Sequence, residues 1–422
     1  MMIWCVDGTR ISHIGFLLCS GTRFRPLSLD CPKPLFPVAG FPAIQHHIEK
    51  LSQVEGLKEI LLIGFYRNEK IIEFVHDMQK LYGVHLRYLQ EFTSLGTAGG
   101  IYHFRDQILI GNPDAFFVIN ADVCGDLPLN EMVQAKTANR GSVCFMLTTE
   151  ATRDQSLLYG CVVVDKDTRE VMHYVEKPET FVSTTINCGV YLFSGEIFPL
   201  IARIFLKKTI SDANGEYNEV PECLSFEKDI FPVMVTSKSF FTYHTTSWWS
   251  QLKSASAAVY ANRHYLALYH SKHPDRLARE GGSLIGDVYI HSSAKIHPSA
   301  TIGPNVSIGK NVVIGEGVRV RESIVLDGAT LQDHCCILYS IIGWNSTVGE
   351  WSRVEGTPSG PNPNMPFAKL ESKPLFNHDG RLNPSITILG CNVQVPNEVI
   401  VMNSIVLPHK ELRGSYKNQI IL

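Results

Sequence analysis

Residues 290–320 read IHSSAKIHPSATIGPNVSIGKNVVIGEGVRV. Ile290, Ile296, Ile302, Ile308, Ile314 and Val320 stand six residues apart, and Ala300, Val306, Val312, Val318 and Ile324 repeat the spacing in a second series. A period of six fits neither one amphipathic helix nor one long strand. It fits short strands on three faces that make one coil of a parallel β-helix, each coil burying its apolar residues against its neighbours. A left-handed β-helix of hexapeptide repeats is therefore expected over 285–422. The rhythm returns at Ile342, Val348 and Val354, and again at Val393, Val399 and Ile405. Between these runs lies an insertion, 357–385, carrying Pro358, Pro361, Pro363, Pro366, Pro374 and Pro384. Proline cannot donate to a strand ladder, so this segment should leave the coil as a long loop. Loops of that length in a compact domain are usually functional or disordered.

Upstream, over 14–247, short apolar runs alternate with amphipathic stretches. Glu59–Phe65, Ala115–Ile119 and Ser142–Leu147 are nearly continuous apolar runs, the pattern of strands buried on both faces. Helices are predicted at 43–54, 68–81 and 128–139. This is an α/β, Rossmann-like reading with a parallel sheet, whose ligands bind outside the carboxyl ends of the strands. A helical connector is expected at 248–284.

Several motifs fall at such strand ends. Gly21-Thr22-Arg23, followed by Pro32-Lys33-Pro34, joins backbone that can approach closely to two cations, as a phosphate site requires. Gln90-Glu91 and Leu95-Gly96-Thr97-Ala98-Gly99-Gly100 form a glycine-rich turn suited to a flat base. Asn120-Ala121-Asp122 follows a strand directly, and Asp122 offers a hard oxygen ligand to a cation such as Mg²⁺. Tyr159-Gly160, Val175-Glu176-Lys177-Pro178 and Asn187-Cys188-Gly189-Val190-Tyr191 supply polar groups for sugar hydroxyls and phosphate.

Together these motifs resemble the sugar-phosphate nucleotidyltransferases, which join a sugar 1-phosphate to a nucleoside triphosphate and release pyrophosphate. The resemblance spans almost the whole chain. The segments around Arg23–Ser28, Lys33–Gly40 and Asn120–Cys124, with Asn403–Lys410 and Asn418–Leu422, are most similar to the mannose-1-phosphate guanylyltransferase branch and to its alpha-type, regulatory members. The resemblance implies that Gly21, Thr22, Arg23 and Lys33 contact phosphates and that Gln90, Gly96 and Thr97 contact guanine. It assigns the mannosyl phosphate to Tyr159, Gly160, Glu176, Lys177, Asn187 and Gly189, and a metal to Asp122.

Two departures stand out. Catalytic members carry a Trp-x-Asp segment whose carboxylate also holds the metal; here the run is Trp249-Ser250-Gln251, so a neutral amide takes that position. Losing a charged ligand weakens both neutralisation and alignment in phosphoryl chemistry, so Mg²⁺ binding is expected to be weakened. The other carboxylates that could replace it are Glu91, Asp126 and Glu176. The loop Phe16-Leu17-Leu18-Cys19-Ser20-Gly21 also lacks the usual leading glycine pair. The resemblance thus implies a regulatory subunit that binds GDP-mannose, assembles as a homo- and hetero-oligomer with a catalytic beta-type homologue, and uses the 357–385 loop to mediate feedback inhibition. The alternative is an active guanylyltransferase.

Composition agrees. With 38 Lys and Arg against 41 Asp and Glu, the formal net charge is −3, which points away from nucleic acid and anionic membranes as partners. Eleven cysteines without a Cys-x-x-Cys pair read as reduced, mostly buried thiols of a cytoplasmic protein. No apolar run reaches membrane-spanning length. Hexapeptide coils also occur in acyltransferases that use a groove histidine, and His291, His297, His334 and His409 are available, but that reading leaves the upstream motifs unexplained. An initiation exchange-factor subunit of the same layout is disfavoured for lack of a helical C-terminal module.

Overall fold

The structure, a computed structural model, describes residues 2–3, 24–66, 69–212, 223–358, 360–362, 364–370 and 374–422. Gly21, Thr22 and Arg23, and the run Phe16–Ser20, lie outside the described residues. The chain packs as two compact units. One is built from 44–249 with 364–369, the other from 24–43, 250–363 and 370–422. This division differs from the linear segmentation 14–247, 248–284 and 285–422. Residues 24–43 pack with the β-helix, and a piece of its insertion packs with the α/β unit.

In the α/β unit, helices at Ala43–Ser52, Glu69–Tyr82 and Leu129–Ala138 stand where periodicity places them. The second buries Ile71, Phe74 and Met78, one stripe of a 3.6-residue period. Strands Glu59–Gly64 and His85–Gln90 pair in parallel, from Glu59 opposite His85 to Gly64 opposite Gln90. The larger sheet runs Val171–Glu176, Gly160–Val164, Thr185–Phe193, Cys144–Glu150, Phe240–His244, with Phe116–Ile119 also on Thr185–Phe193. Here the expectation of a parallel sheet is corrected. Only the Cys144–Glu150 and Phe240–His244 pair is parallel among the described strands of this sheet; the other pairings are antiparallel. Continuous apolar runs report burial on both faces, which Phe116–Ile119 and Cys144–Thr149 have, and burial does not encode strand direction. Behind the sheet, Phe193, Phe226, Phe231 and Phe240 stack in sequence with ring centroids 5.0, 5.7 and 5.2 Å apart.

The other unit is a parallel β-helix. Among the described residues, short strands form three parallel sheets of seven, seven and five strands. Both hydrophobic series point inward: Ile302, Ile308, Ile314 and Val320, and Ala300, Val306, Val312 and Val318, are buried in one core. The register records the insertion. Ile324 pairs with Ile341, seventeen residues on, but Ile341 pairs with Ile388, forty-seven on.

A helix, Ala255–Lys272, capped by the Ser254 hydroxyl, packs along the coils. Its Asn262 is fully buried. The Asn262 Oδ1 accepts the Ala39 N–H at 2.8 Å, and its Nδ2 donates to the Asn305 carbonyl at 3.2 Å. One amide thereby ties the 24–43 segment and a β-helix coil to the same helix. Next to it Gly40, at φ +87°, lies against the Tyr289 ring where a Cβ would collide at 2.2 Å. Replacing Asn262 by Leu leaves a buried backbone donor unpaired, which costs about 1–3 kcal/mol. The urea midpoint of this unit should fall accordingly, and an unchanged midpoint would refute the role.

Candidate functional site

The site is built on the turn after Phe116–Ile119 and on the long strand Thr185–Phe193. The Asn120 N–H donates to the Gly189 carbonyl at 2.8 Å, and the Val123 N–H to the Asn120 carbonyl at 3.1 Å. Gly189 has φ +72°, and a Cβ there would sit 2.6 Å from Asn120 Nδ2. Only glycine allows both that conformation and that approach. Beneath the turn, buried His47 lies 2.7 Å from the Val123 carbonyl through Nε2. As the carbonyl can only accept, Nε2 carries the proton. Burial lowers the His47 pKa to about 4, so the ring is neutral at physiological pH. Asp122 is thus displayed on a turn fixed from two sides.

A directed chain of hydrogen bonds begins at Asn187. Its Oδ1 accepts the Gly189 N–H at 2.8 Å, so the two amide hydrogens must point the other way. They go to the Tyr191 hydroxyl at 2.8 Å and the Tyr174 hydroxyl at 3.3 Å. Each tyrosine passes its own proton to a carboxylate: Tyr174 to Glu176 Oε2 at 2.9 Å, Tyr191 to Glu227 Oε1 at 3.4 Å. Glu227 Oε2 in turn accepts the hydroxyls of Thr97 at 2.8 Å and Ser225 at 2.7 Å. Burial, with the carboxylates beside them, holds both tyrosine pKa values well above the ordinary value, so they remain donors. The chain joins Thr97, read as a base contact, to Glu176 and Asn187, read as sugar contacts.

Glycines make this chain possible. Gly160 pairs with Glu176, and a Cβ on it would lie 2.2 Å from the Tyr174 hydroxyl. Gly96, at φ +81°, lies against the Leu224 backbone, whose carbonyl accepts the Ala98 and Gly99 N–H groups. Thr97 accepts the Phe226 N–H as well, so its hydroxyl anchors residues 225–227. Gln90 ends its strand, half-buried. Lys177, exposed and at φ +47°, donates its N–H to the Tyr159 carbonyl, and its amine is 3.5 Å from Glu176 Oε1. Tyr159 meets the Trp249 ring edge-on at 5.5 Å. Lys33, buried at the start of the turn Lys33–Leu35, packs in the β-helix unit.

Of the carboxylates considered as substitutes for the missing ligand, Asp126 is paired with Lys50 at 3.0 Å, and Glu176 is held by Tyr174. Gln251 ends the short strand Trp249–Gln251, and its Oε1 is buried without a hydrogen-bond partner among the described residues. An amide oxygen there carries no formal charge.

Sequence reading missed a cation at the sugar end. Lys369, from the proline-rich insertion, is 8% exposed. Its backbone N–H donates to Gln155 Oε1 at 2.8 Å, and its carbonyl accepts from Gln155 Nε2. Its amine lies 5.8 Å from the centroid of Trp249, whose indole N–H donates to the Cys188 carbonyl at 3.0 Å. Burial lowers the Lys369 pKa.

With this geometry established, comparison with known proteins is decisive. The Nucleotidyl transferase family matches residues 19–250, and the family described as GMPPB C-terminal domain matches 284–421. A zebrafish (Danio rerio) mannose-1-phosphate guanylyltransferase regulatory subunit alpha-B is 58% identical over 95% of this chain and 97% of its own length. The chain belongs to the mannose-1-phosphate guanylyltransferase alpha family. A human (Homo sapiens) relative named mannose-1-phosphate guanylyltransferase regulatory subunit alpha is 57% identical over the same shares. A Xenopus laevis relative named mannose-1-phosphate guanyltransferase alpha-A is 59% identical, again over 95% and 97%. Among the described residues no helix is long and apolar enough to cross a membrane.

Glu91 gives the site a pH signature. It is 3% exposed, and its Oε1 has no hydrogen-bond partner among the described residues. Burial raises its pKa from 4.5 to about 7. A carboxyl with a raised folded-state value adds stability that is complete below pH 4.5 and lost as pH rises through 7. Glu91→Gln, neutral at every pH, should therefore match the wild type near pH 4.5 and exceed its stability at pH 8 by up to about 3 kcal/mol. Denaturant titrations at the two pH values measure this; equal stability at pH 8 would contradict it.

Proposed function

We propose that this chain binds GDP-mannose in the cleft of its α/β unit and acts as the regulatory subunit of a guanylyltransferase complex, mediating feedback inhibition of a catalytic homologue. The observation that carries the reading is a contrast. Asn187 anchors a complete chain of hydrogen bonds in the α/β unit, while Gln251 stands where catalytic members of the family carry a second carboxylate. In this reading Gly21, Thr22, Arg23 and Lys33 meet the phosphates. Gln90, Gly96 and Thr97 frame the guanine, and Tyr159, Gly160, Glu176, Lys177, Asn187 and Gly189 hold the mannosyl phosphate. Asp122 is left as one charged ligand for Mg²⁺, and the family's second carboxylate is absent. A divalent ion held there would supply charge neutralisation for the phosphates. With one charge removed from its ligands it is held less tightly, and turnover suffers more than binding.

The printed names of the relatives support the regulatory half of this reading. Lys369 supports the role of the insertion. A loop that leaves the β-helix places a buried cation beside Trp249 and Cys188, so an anionic ligand at the sugar end changes the loop's electrostatic environment. A ligand that favours one arrangement of the loop shifts the population of arrangements a partner subunit meets.

The test has two arms. The purified chain is assayed for GDP-mannose formation from GTP and mannose 1-phosphate with Mg²⁺, and for GDP-mannose binding by calorimetry; binding without turnover is expected. Turnover that Asp122→Ala abolishes would instead establish an active enzyme. The chain is then assembled with its catalytic homologue. Deleting 358–384 should leave assembly intact and remove inhibition by GDP-mannose, and unchanged inhibition would overturn the loop's role.

A further inference from the structure

The β-helix unit brings together three side chains from distant parts of the sequence. Asp30 follows the turn Leu27–Leu29, and Cys391 and His409 lie at the corners of successive coils, where the His409 N–H donates to the Cys391 carbonyl at 2.8 Å. Cys391 Sγ and His409 Nε2 are 3.8 Å apart, and one ligand atom from each of Asp30, Cys391 and His409 lies within 4.8 Å of the other two. Sulfur and nitrogen bound to one tetrahedral zinc at the usual bond lengths stand ~3.6 Å apart. The observed pair is therefore almost at ligand spacing.

The surroundings suit a ligand role. Asn392 Nδ2 is 3.3 Å from His409 Nδ1 and also donates to Cys391 Sγ at 3.7 Å. One amide group thus contacts both the thiol and the imidazole and orients them toward each other. Such an outer partner fixes tautomer and orientation in metal-ligating histidines. Both corners hold non-glycine residues at positive φ, 53° at Asn392 and 60° at His409, so the backbone there presents these side chains in a fixed direction.

We propose that Asp30, Cys391 and His409 form a site for one divalent cation of the zinc type, clipping the N-terminal segment of this unit to its last coils. The charge balances. The Cys391 thiol gives up its proton, a sulfur–metal bond forms, the proton leaves to solvent, and thiolate plus carboxylate neutralise a 2+ ion. Sulfur, nitrogen and one carboxylate select zinc over magnesium or calcium, and the exposed face at His409 leaves a fourth position for water. Zinc binds the thiolate, so uptake should release a proton and strengthen with pH. The clip joins residues far apart in sequence, so it should stabilise this unit.

The test uses the full chain, stripped with chelator and titrated with zinc chloride alone, then with cobalt(II). One equivalent should bind, cobalt should show a thiolate-to-metal charge-transfer band, and chelator should lower the melting temperature. Cys391→Ser and His409→Asn should each weaken binding at least about tenfold, whereas Cys223→Ser and His297→Asn should bind as the wild type does. His409 is exposed, so His409→Asn decides the matter if Cys391→Ser fails to fold. No stoichiometric uptake by the wild type would overturn the proposal and leave a thiol hydrogen-bonded to a carboxylate. So would full uptake by His409→Asn.

Discussion

The approach of Asn120 to Gly189 is the constraint on which the cleft depends. Two strands that lie far apart in sequence, Phe116–Ile119 and Thr185–Phe193, pair antiparallel, and at their common end the chain must turn without opening a gap. A glycine at φ +72° lets the Asn120 side chain settle directly on the strand backbone. The Asp122 turn is then held against the segment that bears Asn187, so the candidate metal ligand and the candidate sugar ligands share one rigid frame. Buried His47 closes the turn from below.

From that frame the polar interior extends in one direction. An isolated buried amide or phenol would cost free energy, whereas a chain in which every donor finds an acceptor fixes a single arrangement. Asn187, Tyr174 and Tyr191 satisfy one another and end on Glu176 and Glu227, which keeps the two ends of the cleft in register. The stacked phenylalanines behind it supply the apolar backing. Such a scaffold suits recognition of a polar ligand. A phosphoryl transferase also needs concentrated negative charge for its metal, and at Gln251 that charge is missing. A site can therefore keep its ability to bind while losing turnover, since binding draws on the whole frame and transfer on a few charges.

Much of this was legible in the residues. The six-residue rhythm gives the β-helix because each apolar position must face one core, and the break in that rhythm marks the insertion. Gly160 and Gly189 stand out because a Cβ at either position would collide with a neighbouring side chain. What could not be read is contact across sequence distance. Glu227 carries no motif and matters only because the fold brings it to Tyr191 and Thr97. Lys369 is one lysine in a proline-rich loop until Gln155 grips its backbone. The antiparallel pairings of Thr185–Phe193 were hidden because a strand buried on both faces shows the same apolar run whichever way its neighbours point. In the Asp30, Cys391 and His409 cluster, coil stacking accounts for the eighteen-residue spacing of Cys391 and His409, but Asp30 comes from the N-terminal segment and no repeat points to it.

The most direct measurement of this account is calorimetric titration of GDP-mannose into the wild type and into Gly189→Ala, with circular dichroism to establish that both are folded. A Cβ at 189 must adopt a disfavoured backbone conformation and push Asn120 away, a strain of about 1–3 kcal/mol placed where the two halves of the site meet. The account predicts an affinity at least about tenfold weaker in a folded variant. Equal affinity would contradict it, because ligand binding would then not depend on the Asn120 and Gly189 contact.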